Sequence, residues 1–173
     1  CHRQKEKGQK NRQERDMPEY SHNIRIRKMS TEDLMEVARI EKETFSLPWS
    51  QQGFSDSLMQ ENTCYLVAYR GGKLVGYCGF LQVLDEADIT NVAVDAACRK
   101  CGVGERMLLE LLKAGEDRGV RAFTLEVRES NLAALALYQK IGFEECGVRK
   151  NFYDFPKENA VIMWKYLQSF PIG

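Results

Sequence analysis

Asn91-Val92-Ala93-Val94, and a few residues later Arg99-Lys100-Cys101-Gly102-Val103-Gly104-Glu105-Arg106, is the stretch of sequence that decides the fold. The first four residues, with two β-branched valines, read as a strand. Gly102 and Gly104 open a helix whose apolar positions, Val103, Met107, Leu108, Leu111 and Leu112, recur at helical spacing up to a C-cap at Gly119. Glycines at a helix start let a ligand approach the bare backbone N–H groups, and the helix dipole adds about half a positive charge there. Arg99 and Lys100 bring mobile positive charge to the same place. Together these features predict a pyrophosphate cradle. It is not a Walker A loop, because no Gly-Lys-Ser/Thr follows. Nor is it the dinucleotide fingerprint, because Met107 holds the third glycine position. A short glycine motif is a weak signal by itself, and a turn needing glycine for its own shape reads the same way.

Upstream, Ile24-Arg25-Ile26-Arg27 alternates as a strand does. Ser30-Thr31-Glu32-Asp33 caps a helix carrying Leu34, Val37, Ala38, Glu41 and Phe45, which Pro48 ends. Ser50 caps a second helix with Phe54, Leu58 and Met59. Strands over 64–69 and 74–84 flank the turn Arg70-Gly71-Gly72-Lys73, and another covers 87–95. Downstream, 121–127 reads as a strand buried on both faces. Residues 131–141 form a helix capped by Ser130 and ended by Gly142, and 143–150 and 159–166 close the domain as strands. The order predicts an α/β fold: a mixed, mostly antiparallel central sheet with helices on both faces.

The chain has 173 residues, of which 43% are hydrophobic, enough for one domain with a substantial core. Its 25 Lys and Arg balance 25 Asp and Glu, which excludes a globally basic nucleic-acid binder or an acidic tail. No apolar run approaches the ~18 residues of a membrane span. Residues 1–23 are polar and predict a disordered tail without a secretory signal, 24–166 form the domain, and 167–173 are a short C-terminal tail. The expected location is the cytoplasm. The chain opens with Cys, and Met17 and Met29 are alternative starts. Cys98 and Cys101 stand at C-x-x-C spacing, but zinc wants two more ligands and both histidines, His2 and His22, lie in the tail. No metal is therefore expected. A redox pair with a thiol at a helix start is the sharper alternative for these cysteines, against coincidence.

Strand, Arg/Gln-x-x-Gly-x-Gly loop and long helix together resemble the acetyl-CoA-binding region of the GNAT acetyltransferases, and the resemblance covers nearly all of 24–166. Pro48-Trp49-Ser50, Leu125-Glu126-Val127-Arg128, Ser130-Asn131, Ala136-Leu137-Tyr138, Gly142-Phe143 and Arg149-Lys150-Asn151-Phe152-Tyr153 are similar to the ribosomal-protein-alanine N-acetyltransferase branch. One departure is Glu158-Asn159-Ala160, where relatives usually have Glu-Asp-Ala. The resemblance implies acetyl-CoA as co-substrate and the N-terminal peptide of a ribosomal protein as partner, with neither a membrane nor direct nucleic-acid binding. It implies that Val92, Ala93 and Val94 line the pantetheine arm. Arg99, Lys100, Cys101, Gly102, Val103, Gly104 and Glu105 would then hold the pyrophosphate, and Asn131 would touch the cofactor near a helix start.

The catalytic pair it implies, Glu126 as base and Tyr138 as acid, can be weighed physically. Thr124, Glu126 and Arg128 share one face of their strand, opposite Phe123, Leu125 and Val127. The bland alternative is a structural Glu126–Arg128 ion pair. For Tyr138 it is a core tyrosine with a bonded hydroxyl. An α-amine is about a tenth neutral at pH 7 and a free lysine under about a thousandth, so a carboxylate base suits an N-terminus better. Trp49 and Tyr153 are candidates for the peptide groove, Trp49 equally for a core anchor. The rivals are a lysine or small-amine acetyltransferase on the same fold, a non-catalytic acyl-CoA-binding module, and a redox protein using Cys98 and Cys101.

Overall fold

The computed structural model describes residues 23–167, so the expectations for the two tails fall almost wholly outside it. The chain runs β1 (Ile24–Lys28), α1 (Leu34–Thr44), α2 (Gln51–Leu58), β2 (Thr63–Arg70), β3 (Lys73–Val83), β4 (Glu86–Val94), α3 (Val103–Asp117), β5 (Ala122–Arg128), α4 (Leu132–Ile141), β6 (Glu144–Asp154) and β7 (Lys157–Tyr166). That is the order the sequence predicts. The strands form one seven-stranded sheet, β1-β2-β3-β4-β5-β7-β6. Every neighbouring pair is antiparallel except β4 and β5. A parallel pair cannot close through a tight turn, and α3 is the crossover that joins it.

Two cores lie on the two faces. On one, Leu34, Val37 and Ile40 of α1 and Phe54 of α2 pack on Tyr65, Val67, Tyr77 and Ala93. On the other, Val103, Met107, Leu108 and Leu111 of α3 pack on Phe80, Phe123, Leu125 and Val127. β1 lies before Met29 and forms one edge of the sheet, so a chain starting at Met29 would lack that edge.

Three expectations need correction. β5 is buried on one face only: Phe123, Leu125 and Val127 are covered, whereas Thr124, Glu126 and Arg128 stay half-buried. The reason is that α1 and α2 lie over β2, β3 and β4 and stop short of β5. α4 is capped by Asn131, whose Oδ1 accepts the Ala134 N–H at 3.2 Å. Ser130 instead gives its backbone N–H to Glu158 Oε1 at 2.5 Å. The last two strands run on to Asp154 and begin again at Lys157, making a longer hairpin than the apolar pattern suggests.

The start of α1 is fixed by Asp33, a residue only 2% exposed. Arg27 grips its carboxylate with two N–H bonds of 2.7 and 2.8 Å, and the Tyr69 hydroxyl and Ser30 N–H donate to it. Burial pushes this carboxyl up, but those donors outweigh it and hold the pKa down to about 2. A depressed carboxyl stabilises the fold above its unfolded pKa and loses that contribution as pH falls through the folded value. Asp33→Asn should therefore cost about 2 kcal/mol at pH 7 and leave the acid limb shallower between about pH 5 and 2. Urea melts across that range test this; parallel pH–stability curves for the two proteins would contradict it.

Candidate active site

β4 and β5 are paired only at their beginnings, through Glu86–Ala122, Ala87–Phe123 and Asp88–Thr124. Past that last rung the strands part, and Ile89 to Val94 have a strand partner only on the β3 side. The departure is prepared by a bulge. Gly79 faces Asn91 and Phe80 faces Ile89, so Thr90 is an extra residue with no counterpart on β3. Val92, Ala93 and Val94 thus present one backbone edge to an open wedge, an arrangement into which an extended chain of amides can lie as a strand would.

The open end of the wedge leads to the glycine loop. Gly102 is the N-cap of α3 in the left-handed region, φ 81, where a Cβ is strained, and no side chain caps the helix. The first-turn N–H groups, from Val103, Gly104 and Glu105, are therefore left for a ligand. Gly104 has a second duty: a Cβ there would stand 3.3 Å from Leu137 of α4 and 3.7 Å from Val94. Lys100 is also left-handed, φ 62, and exposed. Arg99, exposed too, folds its Nε back to the Val94 carbonyl at 3.3 Å. Glu105 is tied across to α4 by Lys140 at 3.0 Å. Cys98 and Cys101 are free thiols, half-buried against the α3-side core. Among the described residues no group of three His, Cys, Asp or Glu side chains is placed to hold a metal.

Glu126 lies on β5 just beyond the last rung shared with β4. The alternative Glu126–Arg128 ion pair does not form. Arg128 bonds instead to Glu158 at 3.2 Å and to the carbonyls of Phe155 and Pro156, with its guanidinium 4.2 Å from the Tyr153 ring. Glu126 keeps 29% of its side chain exposed and faces Arg149 of β6 at 3.6 Å.

Tyr138 is 8% exposed, and its ring packs edge-on against Phe143. Its hydroxyl makes no hydrogen bond to any described residue. Burial pushes its pKa up, helped by the Cys78 and Tyr153 groups, so it stays protonated through neutral pH. Tyr138 belongs to the α3-side core with Phe123 and Leu125, and Glu126 to the opposite face of β5.

Around the wedge stand two segments rich in exposed apolar groups. One joins α1 to α2 and carries Phe45, Leu47 and Trp49; the other is the β6–β7 hairpin with Phe152 and Phe155. Trp49 is both anchor and surface: its ring lies 5.4 Å from Phe54, yet it is 38% exposed. Tyr153 is half-buried and raised by that burial and then by the Glu126 carboxylate, which places it electrostatically beside the acid. The departure at Asn159 leaves the hairpin tied, since its Oδ1 accepts the Asn151 N–H at 3.0 Å. The sequence reading missed Asp88 and Arg149. Asp88 ends the parallel rung on the side Glu126 occupies; it is exposed, and its carboxyl is pushed up by partial desolvation and then by Glu126, with Arg149 opposing. Only the strand register could have brought them together.

The site thus combines a split parallel pair, an uncapped glycine-rich helix start and an acidic side chain just past the split. Residues 34–143 match the Acetyltransferase (GNAT) family, and the chain belongs to that family, whose members in general use acetyl-CoA. A Bacillus subtilis relative is 38% identical over 140 residues, 80% of this chain and 93% of that one. The ribosomal protein bS18-alanine N-acetyltransferase of Escherichia coli K12 is 36% identical over 140 residues, covering 80% of this chain and 94% of that one. The crystal structure of the ribosomal-protein-S18-alanine N-acetyltransferase from Escherichia coli superimposes with a TM-score of 0.79 at 34% identity, over 87% of this chain and 97% of that one.

Proposed function

We propose that the chain acetylates the N-terminal α-amine of a protein, with the N-terminal alanine of a bS18-type ribosomal protein as acceptor. The acceptor is inferred from what its bacterial relatives are named for. A cytoplasmic location goes with such an acceptor. The observation that carries the chemistry is the buried Tyr138, whose hydroxyl bonds to no described residue, together with Glu126 on β5 just past the last rung shared with β4.

Acetyl-CoA, when bound, supplies the activated acyl group. Its pyrophosphate fits the bare N–H groups of Val103, Gly104 and Glu105, with Arg99 and Lys100 as mobile cations; Cys101 and the left-handed Gly102 shape the loop. Val92, Ala93 and Val94 hold the extended arm through their free edge, and Asn131 fixes the start of α4 at the cofactor's flank. Glu126, reached through water, takes a proton from the incoming ammonium. Arg149 already puts a cation against that carboxylate, and it is exposed enough to yield its place. Tyr138 gives its proton to the departing thiolate. Trp49 and Tyr153 face the acceptor peptide from opposite rims. A peptide array varying the first four acceptor residues tests the reading: acetylation should be strongest on alanine-led peptides, and an array silent at every position would end it.

A further inference from the structure

The α1–α2 segment that forms one rim of the wedge is held from below by a buried carboxyl, that of Glu41, a residue 2% exposed. Glu41 sits in the last turn of α1. Its Oε1 accepts the Trp49 backbone N–H at 3.2 Å, and its Oε2 accepts the Tyr77 hydroxyl from β3. The Asn91 side chain of β4, at the bulge, stands near the same carboxyl and opposes the rise of its pKa. Its bonded partners are thus both neutral, one from the acceptor-side loop and one from β3, with Asn91 of the strand whose free edge faces the donor as a further neutral neighbour. Burying a carboxyl among neutral partners is costly unless its oxygens are met by donors, and here each one is. Burial pushes the group up, and its two donors and Asn91 pull it back. Asn91 also leaves its Oδ1 buried and unpartnered, a cost of roughly 1–3 kcal/mol. A fold that needed only to anchor a loop could do so with an apolar contact.

We propose that Glu41 is a positioning residue for acceptor selection: its carboxyl locks the Phe45–Trp49 rim to Tyr77 of β3, the strand that backs β4, so that the peptide's first residue meets the donor at a fixed offset. This rests on the reading of that rim as the peptide-binding side. Glu41 does not touch the reacting atoms. The expected signature is a change in how peptides are held, with the donor site untouched.

The test compares wild type, Glu41→Gln and Tyr77→Phe in steady-state kinetics on alanine-led and serine-led peptides, alongside calorimetric titration with coenzyme A. Tyr77→Phe removes one donor and leaves the carboxyl in place, so it covers the case in which Glu41→Gln folds poorly. For Glu41→Gln, KM for the alanine peptide should rise about tenfold, with kcat and coenzyme A affinity changed by less than about threefold, and the preference between peptides should shrink. Tyr77→Phe should move the same way by less. In a Trp164→Phe background, Trp49 emission should become easier to quench with acrylamide in both variants. An unchanged KM and peptide preference in two folded variants overturns the proposal. So does an equal fall in kcat and coenzyme A affinity, the mark of a general structural loss. Wild type that acetylates neither peptide while binding coenzyme A overturns the acceptor reading itself, and this proposal with it.

Discussion

Gly102→Asp should lose at least about 100-fold in affinity for coenzyme A while still folding. The position has φ 81, where any Cβ is strained, and Asp is among the side chains that tolerate that region best, at roughly 1–2 kcal/mol. The melting temperature should therefore fall by only a few degrees. The new carboxylate, by contrast, lies where the first-turn N–H groups of α3 await an anion and where the helix dipole is positive. It satisfies those donors itself and repels a pyrophosphate. Gly104→Asp is a less clean experiment, because a Cβ there presses on Leu137 and couples the loop to the seating of α4. Calorimetry with coenzyme A, next to a thermal melt, separates the two effects. Unchanged affinity in a folded Gly102→Asp protein would remove the loop from the donor site.

Glu126→Gln and Tyr138→Phe should each lower kcat by about 10²-fold or more, with opposite responses to pH. Glutamine keeps the shape of Glu126 but cannot take a proton. Raising the pH should partly restore this variant, because an α-amine with a pKa of about 7.7–8.0 then arrives neutral without help. Phenylalanine removes only the Tyr138 hydroxyl, so the departing thiolate must draw its proton from water. That deficit should not shrink at high pH, where water becomes a poorer donor. The raised pKa of Tyr138, caused mainly by burial, keeps wild-type Tyr138 protonated across the whole profile. Its own titration therefore cannot mimic the difference. Affinity for coenzyme A should barely change in either variant. Profiles of kcat/KM on one alanine-led peptide decide the matter, and near-wild-type rates for both variants would return Glu126 to a surface acid and Tyr138 to a packing residue.

The element order was legible because each boundary has a local chemical cause. The glycines at 71, 72, 102, 119 and 142 all adopt positive φ, and the 3.6-residue pattern of α3 needs no tertiary context. Asn131 rather than Ser130 caps α4 because both residues can cap, and only the bond of Glu158 to the Ser130 N–H settles which one does. The partner of Glu126 was hidden for a related reason. Glu126 and Arg128 are neighbours on one face of β5, yet Arg128 is taken by the hairpin and Glu126 meets Arg149, two strands across the sheet. Such pairs depend on the registers of β5 with β7 and β7 with β6, including a shift between Arg149 and Tyr153 that no local pattern encodes. Asp88 is hidden for the same reason: it reaches the site through the short parallel rung of β4 and β5.

The central claim is that the acceptor is an N-terminal α-amine. A peptide with a free N-terminal alanine and one internal lysine, incubated with acetyl-CoA and the full chain and sequenced by tandem mass spectrometry, tests it most directly. The account predicts one acetyl group, on the alanine nitrogen, and none on a control peptide whose N-terminus is blocked. Acetyl on the lysine of either peptide, with the alanine amine untouched, would contradict it.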